Sequence, residues 1–80
     1  MKKATVANHI MRMYNWYYAN DKSRFRTRDV QQLSESSVKV FGRRLGSPST
    51  YERTFRKLRQ DGFINVEEIK TPTDSIWVIK

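Results

Sequence analysis

The chain contains no cysteine and a single histidine. A disulfide scaffold and a thiolate zinc site are therefore excluded, and so is a His-rich metal centre. Only three glycines and two prolines occur, which leaves no glycine-rich phosphate loop and no low-complexity tract. No apolar run approaches the roughly 20 residues that a membrane span requires. Lys2 and Lys3 are not followed by an apolar signal core, because Asn8, His9 and Arg12 interrupt it. Acidic residues are scarce as well. Eight of them face sixteen Lys and Arg, a net charge of +8 in 80 residues. Such a surface attracts polyanions, nucleic acid before anionic membrane.

What is present can fold. Apolar residues make up 38% of the chain, and ten aromatic side chains are enough to seed a core. Residues 1–80 read as one domain, short enough that a compact helical fold or a dimer is the expected stabiliser. The charge is uneven along it. Residues 1–60 carry 14 basic and four acidic side chains, whereas residues 61–80 carry two and four. The positive field belongs to the first three quarters.

Apolar periodicity gives the element order. Val6, Ile10, Met13, Tyr14 and Tyr17 recur at helical spacing, predicting a helix over about Ala4 to Asn20. Met11 and Tyr18 widen this stripe, with Trp16 and His9 off its other edge. The excess is either a wide core face or a partner surface. Arg24 to Arg28 alternates Arg with Phe25 and Thr27, which suits a short extended piece with Phe25 inward. Thr27 reads as the N-cap of a second helix with Val30 and Leu33 on its apolar face. Ser34, Ser36 and Ser37 weaken that helix, yet Val38, Phe41 and Leu45 resume the spacing up to Gly46. One long helix and two short ones both fit. A third helix starts at Ser47-Pro48-Ser49, with Ser49 and Glu52 spaced as a capping box, and stops at Gly62. From Phe63 the period changes to two. The runs Phe63 to Ile69 and Ser75 to Ile79 predict a β-hairpin around a loop of about five residues.

Helix, short strand, helix, helix and hairpin is the order of winged helix-turn-helix DNA-binding domains. The stretch Ser49-Thr50-Tyr51-Glu52-Arg53-Thr54-Phe55-Arg56-Lys57-Leu58-Arg59-Gln60-Asp61-Gly62-Phe63-Ile64 resembles their recognition helix and its exit into the wing. Phe25-Arg26-Thr27-Arg28-Asp29-Val30 resembles the entry into their second helix. The resemblance implies an α+β fold, a three-helix core with a C-terminal hairpin wing. It also implies a small transcriptional regulator that places helix 49–61 in the major groove of double-stranded DNA. In one respect the chain departs from that pattern. The 21 residues between Thr27 and Ser49 exceed a two-turn helix and a short turn. The surplus brings Arg43 and Arg44 next to the start of the third helix.

The residues support the same surface on their own chemistry. With Tyr51, Phe55 and Leu58 inward, Ser49, Thr50, Arg53, Arg56, Lys57 and Gln60 face outward, the side-chain types that reach bases and phosphates. Arg53 is the expected base reader, since Arg can bond guanine bidentately. Ser49 and Thr50 at the helix start suit a phosphate. Arg24, Arg26, Arg28, Arg43, Arg44 and Lys70 are expected on the DNA backbone, with Thr71 and Thr73 at a wing over the minor groove. The opposing reading of the third helix is a solvated face on which Glu52 pairs Arg56.

A lone His9 supports no catalytic set, and the acids Asp21, Asp29, Glu35, Glu52 and Asp61 are scattered. Glu67 and Glu68 are strand neighbours and point to opposite faces. Neither an enzyme nor a cofactor is expected. The expected setting is the cytoplasm, with nucleoid association once bound to DNA, and a phage or mobile-element origin suits the size and charge. A homodimer through Met11, Tyr14, Trp16 and Tyr18 is the further expectation. The alternatives are a winged-helix adaptor for a partner protein, and replication-origin binding.

Overall fold

The computed structural model describes residues 5–80. The Thr5 hydroxyl accepts the N–H of Asn8 and opens α1, Val6–Ala19; the expected start at Ala4 lies outside the described residues. α1 ends where Asp21 adopts a left-handed φ of 55°. The N–H groups of Asp21 and Lys22 then turn back onto Tyr18 and Tyr17 carbonyls. β1 (Arg24–Arg26) leads directly into α2 (Thr27–Phe41). α3 (Pro48–Gln60) and the strands β2 (Val66–Lys70) and β3 (Ser75–Ile79) complete the chain. The three-helix core with a C-terminal hairpin expected from the sequence is therefore present, an α+β winged-helix arrangement.

The strands form one antiparallel sheet in the order β1-β3-β2. Phe25, Trp77 and Glu68 share one rung, and Phe25 and Trp77 are buried. That rung fixes the inner face. Tyr17, Phe25, Phe55 and Trp77 run through the core as a chain of edge-on ring contacts, 5.3, 5.6 and 4.8 Å between centroids. Ile10, Val30, Tyr51, Ile64 and Val66 fill the space around it.

Several sequence expectations shift in detail. Thr27 is not a cap; it is the first residue of α2, and its Oγ1 accepts the Trp77 indole N–H at 2.9 Å. Asp29 does the capping instead, accepting the Arg26 N–H at 2.9 Å. Ser49 is also not a cap. Ser47 takes that role on α3 by accepting the Thr50 N–H at 3.2 Å. The hairpin strands start at Val66, not Phe63. Gly62, at φ 83°, sits just past the helix end and lets the Phe63 N–H reach the Leu58 carbonyl. That closure leaves the Phe63 ring exposed.

Of the two readings left open for the serine stretch, one helix is the one formed. α2 continues through Ser34 and Ser37 to Phe41, where Gly42 at φ 78° ends it. Leu45 keeps the helical spacing but lies in the loop. Both serines are fully buried and hold that loop. Ser34 Oγ donates to the Gly46 carbonyl, while Ser37 Oγ donates to Ser34 O at 2.6 Å and accepts the Leu45 N–H at 3.1 Å. Ser37→Ala leaves that N–H without its acceptor and should cost about 1–3 kcal/mol, read as a lower denaturant midpoint at unchanged slope.

His9 is buried, with Nδ1 2.7 Å from the Tyr51 hydroxyl and its ring edge-on to Phe41. Burial, then the charge of Arg12, pushes its pKa below the ordinary 6.5. The unfolded chain therefore takes up a proton first as pH falls, and stability should drop below about pH 6.5. The carboxylates of Glu68 and Asp74, also held low, respond only in more acidic solution. Thermal unfolding scans between pH 7 and 5.5 should show the decline, and His9→Gln should flatten it.

Candidate nucleic-acid interface

α3 presents its polar face because Tyr51 and Phe55 are fully buried on the opposite side. Ser49, Arg53, Arg56, Lys57 and Gln60 are exposed and Thr50 is half-buried. These residues differ in how far they are already committed. Arg53 makes no ion pair or side-chain hydrogen bond among the described residues. Lys57 meets Asp61 across one turn at 3.9 Å, a solvent-screened pair that leaves it available. Thr50 is spent on the helix start: its N–H and its hydroxyl both bond Ser47 Oγ, at 3.2 and 3.0 Å.

Arg56 departs most from expectation. Its Nε lies 3.3 Å from Glu52, its Nη1 3.7 Å from Glu68, and its guanidinium 5.2 Å from the centre of the Trp77 ring. Arg59 stands beside it, 5.3 Å from the same ring, and donates Nε–H to the Val66 carbonyl at 3.1 Å. Two guanidinium groups thus lid a buried indole. The Glu52–Arg56 pairing raised as the opposing reading is present. Glu52 also accepts Gln31 Nε2 at 2.7 Å, which ties α3 to α2. Nothing in the sequence signals the role of Trp77 here, since it lies 18 and 21 positions from the two arginines.

The remaining basic residues fall into three groups. Arg43 and Arg44 are exposed on the loop that enters α3, adjacent to its N-terminus. Arg28 and Lys70 line a cleft of about 510 Å³ with Gln31, Glu52, Arg56 and the hairpin loop. Arg24 and Arg26 are elsewhere. They flank Phe25 on β1, and since Phe25 points inward both arginines lie on the outer face of the sheet, away from the helices. The six residues expected on the DNA backbone therefore do not lie on one surface: β-strand alternation divides them.

The hairpin does not project as a free wing. Its strands pass the end of β1 by a single residue pair, Lys70 with Ser75. Asp74 turns the loop back, accepting the Ser75 N–H at 2.8 Å and the Arg28 N–H at 3.4 Å. These bonds, the Ser75 one first, hold its carboxyl below the usual range. The Ser75 hydroxyl, 2.6 Å from Glu68, does the same there, aided by Arg56. Thr71, Thr73 and Lys70 consequently face the cleft with Arg28. Lys70 and Arg28 stay close to α3.

The dimer expectation on α1 also divides. Met11 and Tyr14 pack against the core, and the Tyr14 hydroxyl accepts the Asn65 N–H at 3.3 Å. Only Trp16 and Tyr18 remain exposed. Most of the wide stripe is core.

Compared with protein-family models, curated proteins and solved structures, the chain matches none. Among the described residues, no three His, Asp or Glu side chains are grouped to hold a metal ion, and no helix is long and apolar enough to cross a membrane.

The contrast between the two helix arginines is measurable without any ligand. Arg56→Ala uncovers Trp77 and leaves Glu68 without its cation, so it should lower stability by about 1–2 kcal/mol. Arg53→Ala should change it by less than about 0.5 kcal/mol. Urea unfolding followed by far-ultraviolet circular dichroism checks both.

Proposed function

We propose that the chain binds double-stranded DNA through the outward face of α3, as a small transcriptional regulator of the winged-helix type. The observation that carries this is Arg53. It is an exposed guanidinium without a partner among the described residues, centred on a helix face with Ser49, Lys57 and Gln60. A guanidinium held on a rigid helix suits bidentate contact to guanine in the major groove, which admits one α-helix. Arg43 and Arg44 at the entry to α3, with Arg28 and Lys70 at the cleft, supply backbone contacts that position without reading sequence. Arg56 is reassigned from base contact to the support of α3 against the sheet.

A second reading keeps a specific observation. Trp16 is half exposed at the rim of a groove between α1 and α2 lined by Met13, Leu33 and Val40. An adaptor for a partner protein would use such a surface. The two readings differ in salt dependence. Neutralising about 6–8 phosphates gives a slope of log affinity on log salt near −5 to −7; an adaptor gives almost no affinity for random duplex. Selection from a random duplex pool, followed by titration at several salt concentrations, decides. On a selected site Arg53→Ala should cost about 1–3 kcal/mol and relax preference at one position. Arg43→Ala should weaken every duplex alike. Equal losses on selected and random DNA for both variants overturn Arg53 as a reader.

A further inference from the structure

All three helices meet the sheet on its inner face, through Tyr17 with Phe25, Thr27 with Trp77 and Phe55 with Trp77. Strand alternation then defines what the other face carries. Its rungs are read from the register. One is Arg24, Val78, Glu67; the next is Arg26, Ile76, Ile69. The centre of this outer face is therefore an apolar row, Ile76 and Val78 on β3, extended by Ile69, which is 45% exposed. Arginines stand along one edge and a carboxylate along the other.

We propose that this outer face is the contact surface for a second copy of the chain. The pattern is self-complementary about one axis only. A two-fold axis parallel to β3 lays β1 of one copy over β2 of the other. Val78 then meets Val78, Ile76 meets Ile76, and Arg24 of each copy stands over Glu67 of the other. The Arg26 stem covers Ile69. A two-fold axis perpendicular to the strands would stack arginine on arginine, which repulsion forbids. Lys80 already bonds Glu67 at 3.3 Å, so the carboxylate would lie between two cations, one from each chain.

Magnitudes set the strength. Three strands about 4.8 Å apart and five residues at about 3.3 Å give a footprint of roughly 15 × 16 Å. The two facing footprints sum to roughly 480 Å², below the about 1,200 Å² at which stable specific interfaces begin. Each copy also carries +8, and salt at physiological strength screens that repulsion beyond about 8 Å. The association is therefore weak, and grows with concentration.

The absence of cysteine makes the test direct. Stacked sheets about 10 Å apart leave two facing Val78→Cys sulfurs too distant for an unstrained disulfide, but within reach of a short bismaleimide. Val78→Cys should link into dimers several-fold faster than Tyr18→Cys, which samples the exposed end of α1. Adding Arg24→Glu to Val78→Cys should cut the linked yield about tenfold or more, and adding Glu67→Arg to both should restore it. Circular dichroism confirms that each outward-facing change leaves the fold intact. Equal rates for the two cysteines, a yield indifferent to Arg24→Glu, or no recovery on adding Glu67→Arg overturns the proposal. No DNA is present, so either result stands apart from the DNA-binding reading.

Discussion

The indole of Trp77 is where the parts of this domain meet. Its ring packs edge-on to Phe55 of α3, and its N–H bonds Thr27 at the start of α2. Its strand lies between the other two, and Arg56 and Arg59 close its remaining surface. Truncating a buried aromatic of this size costs about 3–5 kcal/mol. Native domains hold only about 5–15 kcal/mol in total. The two arginines follow from the same economy: with few apolar side chains to spare, long charged ones cover the indole with their stems and keep their heads wet.

This dependence separates two kinds of cation on one helix. Arg56 and Arg59 lie on the flank of α3 that faces the sheet, where a carboxylate, a carbonyl and an aromatic face already satisfy them. Arg53 and Lys57 lie farther round, where Arg53 has no partner among the described residues and Lys57 meets only the solvent-screened Asp61 carboxylate. Counting basic residues along α3 treats all four alike. The surface open to a polyanion is smaller and sharper than that count implies.

The element order was legible because the period changes cleanly, from helical through Phe55 and Leu58 to alternating around Ile76 and Val78. The stops at Gly62 and Asn20 were legible for chemical reasons, since left-handed or turn geometry selects those residue types. Ser34 and Ser37 were misread as weak points because propensity describes an exposed helix, whereas these hydroxyls are buried and hold the next loop. The caps moved for a related reason. Thr27 and Ser49 have the right chemistry, but Trp77 claims the first and Ser47 pre-empts the second. The separation of Arg24 and Arg26 from the α3 surface needed the inward direction of Phe25 together with the place of β1 in the sheet; only the first was readable. The lid over Trp77 was invisible, because it joins residues that no spacing rule connects.

The position of β3 between β1 and β2 has a consequence for how the chain acquires its structure. β1 precedes the strand it pairs with by about 50 residues, as the Thr27–Trp77 bond also shows. The helices can gather through local contacts, but β1 stays an unpaired edge and the core stays open until β3 has been made. Loop closure over that separation slows the last step. A nascent chain therefore has no stable stopping point short of Ile79. The interval before β3 pairs with β1 is when exposed aromatic surface is at risk of aggregation.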